Sequence, residues 1–290
     1  GQEWKPNNFD RQFRGPVTLR VGLQDSRNLV AIKLLQKIGP QKAVDYAQRL
    51  GIKTKLLAVP SIAIGTCEVT LWQMVPAFSV FPNQGIKVEP RFILKVTDKY
   101  GNVLEENKAI KRKEVLSPPT AYIMTTMLQS VIDGGTGSMA RVLGFTHPAG
   151  GKTGTTDETT DNWFLGFVPQ ITAGVWVGYD DDRPVGDKET GGRTALPIWL
   201  AFMTEAVRGS AKEDFPVPEG IDWLEVNLKD GGYPLPVFEI SPSVKIPFVS
   251  GSNVAPPASK KAKGPESDLT LEQTDFDQQS APGSAVVPGS

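Results

Sequence analysis

The sequence predicts an α+β fold, and three observations carry that prediction. Apolar residues recur at helical spacing through the first half of the chain. Three strand-like segments then follow one another with only short turns between them, and an apolar helical segment closes the set. Contiguous strands joined by tight turns pair antiparallel, and a helix that follows them is placed to cover their sheet.

The elements follow in order. Asp25 or Ser26 is positioned to cap a helix carrying Leu29, Ile32, Leu35 and Ile38, which ends near Gly39. Pro40 suits the first position of a second helix with the face Ala43, Val44, Ala47 and Leu50, and Gly51 is a natural stop. Val69 to Phe81 is helical in period but contains Pro76. Arg91 to Asp98 alternates like a strand, Lys99-Tyr100-Gly101-Asn102 turns it, and Val103-Leu104 returns. Pro118 and Pro119 open a helix through Tyr122, Met127 and Val131 that ends at Asp133-Gly134-Gly135. The meander comprises Gly151 to Thr155, Trp163 to Val168 and, after a Pro169-Gln170 turn, Ile171 to Tyr179. Ala195 to Arg208 is the covering helix.

Residues 1–214 read as the globular part. Over 215–249 prolines recur at short intervals, and Trp223, Leu224, Phe238 and Phe248 are the apolar anchors of an extended wrap or linker. Residues 250–290 are Ser, Gly, Pro, Ala, Lys and Gln with almost no apolar anchors. Such a segment cannot offset its ordering entropy by burial, so a disordered tail is expected there.

Lys and Arg number 31 against 32 Asp and Glu, a net charge of -1, so no global field points to nucleic acid. A lone Cys67 excludes an internal disulfide and a cysteine-based zinc site, and His147 is the only imidazole. No metal or cofactor is expected. No stretch approaches the roughly 20 apolar residues of a membrane-spanning helix. The opening Trp4-Lys5-Pro6-Asn7-Asn8-Phe9 lacks start-of-domain character, and we expect a piece of a longer protein.

The chemistry gathers at Gly151-Lys152-Thr153-Gly154-Thr155-Thr156. In a strand, Lys152 and Gly154 share one face while Thr153 and Thr155 share the other. On an exposed edge the lysine can steer a carboxylate, Gly154 admits a substrate backbone, and free N–H groups can bond it. Read alone, the segment is better explained as a Gly-rich turn with a solvated lysine. A phosphate loop needs Gly five residues before Gly151, where Thr146 stands, and no apolar strand feeds it. Ser26-Arg27-Asn28 sits in a tight interhelical turn, where a hydroxyl could relay a proton and an amide hold a carbonyl; helix capping is the plain alternative. Asp180-Asp181-Asp182 lacks calcium-loop spacing and reads as a solvated acidic turn.

In combination and in order, these segments resemble the transpeptidase domain of class A, bifunctional penicillin-binding proteins, over roughly residues 1–210. The resemblance also rests on Gly15-Pro16-Val17-Thr18-Leu19-Arg20, Gly134-Gly135-Thr136-Gly137, Asp161-Asn162-Trp163-Phe164 and Pro197-Ile198-Trp199. It implies a penicillin-binding, serine β-lactamase-like fold and acyl transfer between peptidoglycan stem peptides ending in D-Ala-D-Ala, with β-lactams as mimics of that substrate. It further implies an extracytoplasmic setting, an inner-membrane anchor and a glycosyltransferase domain in the whole protein. By the same resemblance Ser26 shuttles a proton to the leaving group, Asn28 holds a substrate amide, and Lys152 supplies positive potential. Thr153 and Thr155 hydroxyls receive the terminal carboxylate across Gly154, and the Thr155 N–H is half of an oxyanion hole. The family's nucleophilic Ser-x-x-Lys is missing: no lysine here has a serine three residues before it. An upstream nucleophile is therefore expected, with a nucleophile-less module that binds peptidoglycan or a partner as the rival. Pro76 and Pro82 depart from the unbroken helix the family implies.

Overall fold

Thr18 accepts a hydrogen bond from Val21 N–H and opens α1 (Leu19–Gln24), which turns sharply into α2 (Asn28–Ile38). This architecture comes from a computed structural model, which describes residues 5–156, 158–227, 233–234 and 243–252. Gly22 lets the two helices close on each other: a Cβ there would lie 2.6 Å from Val30 Cγ1. Gly39 and Pro40 separate α2 from α3 (Pro40–Leu50), and Gly51 ends it at φ 120°, as the pattern predicts. After a 3-10 turn at Pro60–Ile64, α4 (Leu71–Ser79) runs through Pro76 without splitting, two residues short of the predicted segment at each end.

Two small antiparallel pairs follow, β1 (Ile86–Val88) with β4 (Arg112–Glu114) and β2 (Lys95–Thr97) with β3 (Val103–Glu106). The strand expected over Arg91 to Asp98 thus contracts to its second half. Phe92 leaves the alternation and meets Trp72 edge-on at 5.9 Å. Next, α5 (Pro118–Gly134) is capped by Ser117 and carries the buried face Ala121, Thr125, Leu128, Val131 and Ile132; the short α6 (Met139–Val142) follows.

The meander is β5 (Gly150–Thr155), β6 (Asp161–Phe167) and β7 (Thr172–Gly178), antiparallel in the order β5-β6-β7. One side of β5 is therefore a sheet edge. The helix α7 (Ala195–Ala206) covers one face. Its fully buried Trp199 packs edge-on against Phe164 at 5.0 Å and donates Nε1–H to Gly166 O at 3.3 Å. Gly166 must lack a side chain, since its Cβ would lie 2.7 Å from the indole. The opposite face meets α4 and α5, where Leu128, Phe167 and Phe215 form a second cluster. Burying a side chain of this size contributes roughly 1.5–3 kcal/mol, so the sheet is clamped from both sides.

Residues 215–249 do more than wrap. Within them β8 (Ile221–Asn227) pairs antiparallel with β9 (Tyr233–Pro234) and β10 (Ser243–Val249) in the order β10-β8-β9. Trp223 packs edge-on against Tyr122 of α5 at 6.4 Å. Phe238 lies outside the described residues, as does nearly all of the expected 250–290 tail. The chain divides into units Gly1–Ala255 and Pro256–Ser290, the second wholly outside the described residues. Among the described residues no helix is long and apolar enough to cross a membrane.

Candidate active site

The edge strand owes its geometry to its register with β6. Thr156 N–H bonds Asp161 O at 3.1 Å, and the register steps back through Thr155↔Asn162, Gly154↔Trp163, Thr153↔Phe164 and Lys152↔Leu165. In an antiparallel ladder hydrogen-bonded pairs alternate with non-bonded ones. Gly154 and Lys152 thus spend their backbone groups on β6, whereas the N–H groups of Thr153 and Thr155 face the free edge. A peptide or an oxyanion laid along that edge meets donors that no described residue pairs.

Gly154 is also crowded from across the strand: a Cβ there would sit 3.0 Å from Trp163 Cβ, tighter than an ordinary van der Waals contact. Paired residues also share a face. Thr153 and Thr155 project with Phe164 toward α7, and Lys152 projects with Leu165 toward the α1–α2 turn.

That turn holds Ser26. Its φ of 53° is left-handed, an unusual state for a non-glycine residue, and the turn is closed by Arg27 N–H to Gly22 O at 2.8 Å. The capping expectation fails here. Arg27 occupies the cap of α2 with no side-chain bond, and Asp25 instead pairs with Arg14 at 2.6 Å. The first turn of α2 is capped from a distance, by Asn8 Oδ1 accepting Leu29 N–H at 3.3 Å. Arg27 is buried, pairs with Asp10 at 2.6 Å and donates to Gln12 O, tying the turn to the N-terminal segment. The Gln12 N–H and the Arg27 guanidinium together hold the Asp10 carboxyl below its ordinary value.

Lys152 Nζ crosses to this turn, donating to Ser26 Oγ at 2.8 Å and to the edge carbonyl of Thr153 at 2.9 Å. Among the described residues no carboxylate neutralises it. Desolvation alone pushes its pKa from 10.5 down to about 8. A mostly charged ammonium without a counter-anion is thereby presented beside a serine hydroxyl, a constellation suited to an anionic ligand and to proton relay.

The two threonines are each held by a loop. Thr153 Oγ1 lies 2.8 Å from Thr136 Oγ1, and Thr155 Oγ1 accepts Gly191 N–H at 3.0 Å. The loop carrying Thr136 is fastened to α1 by Thr136 N–H to Gln24 O at 3.1 Å and by Gln24 Nε2 to Gly134 O at 3.2 Å.

Of the six predicted site residues, the structure brings Ser26, Lys152 and Thr153 together around the edge, with Gly154 and Thr155 continuing the strand. Asn28 is otherwise engaged: its Nδ2 donates to Asn7 O at 3.0 Å. Sequence reasoning assigned no role to Thr136, Gly191 or Asn8. Thr136 could have been found from its place between glycines, whereas the other two carry no local signal.

A family model described as the penicillin-binding protein transpeptidase domain matches residues 1–203. Penicillin-binding protein 1A of Aquifex aeolicus is 41% identical over 230 residues, covering 79% of this chain and 31% of the relative. Its counterpart from Neisseria gonorrhoeae is 34% identical, covering 91% of this chain and 33% of the relative. The crystal structure of penicillin-binding protein 1A from Haemophilus influenzae superposes with a TM-score of 0.81 at 26% identity, over 90% of this chain and 44% of that one. A PonA1 structure from Mycobacterium tuberculosis, in complex with penicillin V, shares the fold with a TM-score of 0.66 at 23% identity, over 73% of this chain and 62% of that one. The chain thus spans about a third of the length of the curated relatives it matches. With its edge strand, its Ser26 turn and this likeness over most of its length, the chain belongs to the penicillin-binding protein transpeptidase domain family.

Proposed function

We propose that this chain is the substrate-binding half of a peptidoglycan D,D-transpeptidase site. One observation above all supports the reading: Lys152 Nζ lies 2.8 Å from Ser26 Oγ, joining two motifs 126 positions apart beside a free sheet edge. A serine nucleophile in a Ser-x-x-Lys element outside these residues attacks the penultimate D-Ala carbonyl of a stem peptide. Its oxygen bonds the carbonyl carbon, the C–N bond to the terminal D-Ala breaks, and the serine's proton passes through the site to the leaving amine. An amine of a neighbouring stem then bonds the carbonyl carbon, the ester C–O bond breaks, and the amine's proton returns to the serine oxygen.

Here Ser26 relays the proton to the leaving nitrogen and Lys152 supplies positive potential. The Thr153 and Thr155 hydroxyls receive the terminal carboxylate, and Thr155 N–H, on the free edge, stabilises the oxyanion. Asn28 holds the substrate amide. β-Lactams acylate the same serine. Residues 1–214 form the catalytic part, 215–249 an extension braced on α5, and 250–290 a tail. The whole protein acts outside the cytoplasmic membrane, anchored to it and joined to a glycosyltransferase domain.

Fluorescent penicillin with mass mapping tests this. The full-length protein should be labelled on a serine outside these 290 residues, and the isolated chain should stay unlabelled. A covalent adduct on any serine of this chain would overturn the assignment. An unlabelled full-length protein would favour a nucleophile-less peptidoglycan- or partner-binding module.

A further inference from the structure

We infer that Thr136 is a positioning residue of the carboxylate corner: its hydroxyl donates to Thr153 Oγ1 and so frees the Thr153 proton for an anionic ligand. The inference rests on the reading of Thr153 and Thr155 as carboxylate donors and extends it to a residue with no assigned role.

A threonine hydroxyl has one proton and two lone pairs. Thr155 has its acceptor side filled by Gly191 N–H at 3.0 Å, which leaves its proton free to donate. Thr153 shares a 2.8 Å bond with Thr136 in which either oxygen can donate. Were Thr153 the donor, it would turn lone pairs toward a carboxylate and repel it. With Thr136 donating, both threonines present protons. Lys152 Nζ is nearby on the Thr153 carbonyl at 2.9 Å, adding positive charge to the same corner.

Thr136 is held in place by its backbone. Thr136 N–H bonds Gln24 O at 3.1 Å, and Gly135 packs so closely on that carbonyl that a Cβ would overlap it. On its other side Gly192 approaches, where an added Cβ would lie 3.1 Å from Thr136 O. The Thr136 residue itself is exposed, so little packing depends on its side chain. Gln24 ends α1 just before the Ser26 turn, and the loop therefore ties the carboxylate corner to the proton-relay serine. Water competes for this hydroxyl pair in the free protein. A bound ligand excludes that water, and the orientation then matters most.

The test compares second-order acylation of the full-length protein by a penicillin with its free carboxylate and by its methyl ester. Thr136→Val should slow the free acid about tenfold while the ester rate stays within about twofold, the scale of one oriented hydrogen bond. Thr136→Ser should restore the acid rate. In a Thr153→Val background, Thr136→Val should add nothing further. Equal losses for acid and ester, no rescue by serine, or losses that add to those of Thr153→Val would each overturn the positioning role. Thr153→Val that leaves the acid-to-ester ratio unchanged would instead overturn the underlying carboxylate reading. A changed ratio in Thr153→Val with none in Thr136→Val would overturn this inference alone.

Discussion

Lys152 Nζ donates to Ser26 Oγ at 2.8 Å, and this single bond joins the sheet edge to the helical layer. Two features that are costly in isolation meet at it. Ser26 adopts a left-handed backbone that a serine rarely takes, and Lys152 keeps an ammonium in a desolvated position with no carboxylate of the described residues beside it. Buried charge and local strain gathered at one point are what a ligand-receiving site would hold.

Removing that charge should therefore cost activity more than folding. In the full-length protein, Lys152→Ala is expected to slow β-lactam acylation by about 100-fold, the scale of losing a preorganised electrostatic group. The melting temperature should hold or rise, because an uncompensated buried charge goes with it. Stopped-flow acylation with fluorescent penicillin checks the rate. An unchanged rate would remove Lys152 from the mechanism.

The same desolvation sets a pH dependence. The Lys152 pKa is lowered to about 8, so the charged form is present below that pH and lost as pH rises through it. Acylation that relies on the cation should fall above about pH 8, with a bound carboxylate moving the midpoint upward. Stability runs the other way. An unfolded lysine keeps its proton to its ordinary value of 10.5, so between about 8 and 10.5 the unfolded chain binds more protons and the fold gains stability as pH rises. Below about 8 the penalty for burying the charge is present in full. Lys152→Met should flatten both profiles; rate and melting curves from pH 6 to 10.5 would reveal either one persisting.

The boundary between legible and hidden features runs along the range of the interactions. Pro40, Gly39 and Gly51 act through their own backbone, so the α2–α3 junction could be read directly, and the apolar strands at Trp163 and Ile171 announced the meander. Ser26 was open to misreading as a cap because its hydroxyl bonds Lys152, far away in sequence. The crowding at Gly154 appears only once the register sets Trp163 opposite it. Between Pro216 and Pro247 the prolines mask strands, yet Pro247 stands within β10, opposite Trp223 of β8.

Gly191 has no permissive turn geometry to explain it, and crowding gives the reason. A Cβ there would overlap both Trp163 O and Gly154 O while its N–H is held to Thr155 Oγ1 at 3.0 Å. Gly191→Ala must push the loop off the sheet. We expect a loss of roughly 1–3 kcal/mol, the range for forced overpacking, together with slower acylation as Thr155 loses its orienting donor. Denaturant unfolding and acylation of the same variant give the two readings, and a variant matching the wild type in both would show that the loop yields freely.

Asn8 is the one described side chain that reaches the start of α2, its Oδ1 taking Leu29 N–H at 3.3 Å while its Nδ2 donates to Gln12 O at 2.9 Å. Arg27 donates to that same Gln12 carbonyl, so the cap and the buried arginine brace one segment. Asn8→Ala should cost about 0.5–2 kcal/mol, as for the loss of a helix cap, although the residue lies 21 positions before the N–H it serves. Asn8→Asp keeps the acceptor for Leu29 but turns a second oxygen toward the Gln12 carbonyl, so it should recover only part of the loss. The Ser26 turn sits between the two braces, and its loosening should appear as a slower acylation that Asn8→Asp rescues in proportion to stability. Recovery of stability without recovery of rate would separate the cap from the placement of Ser26.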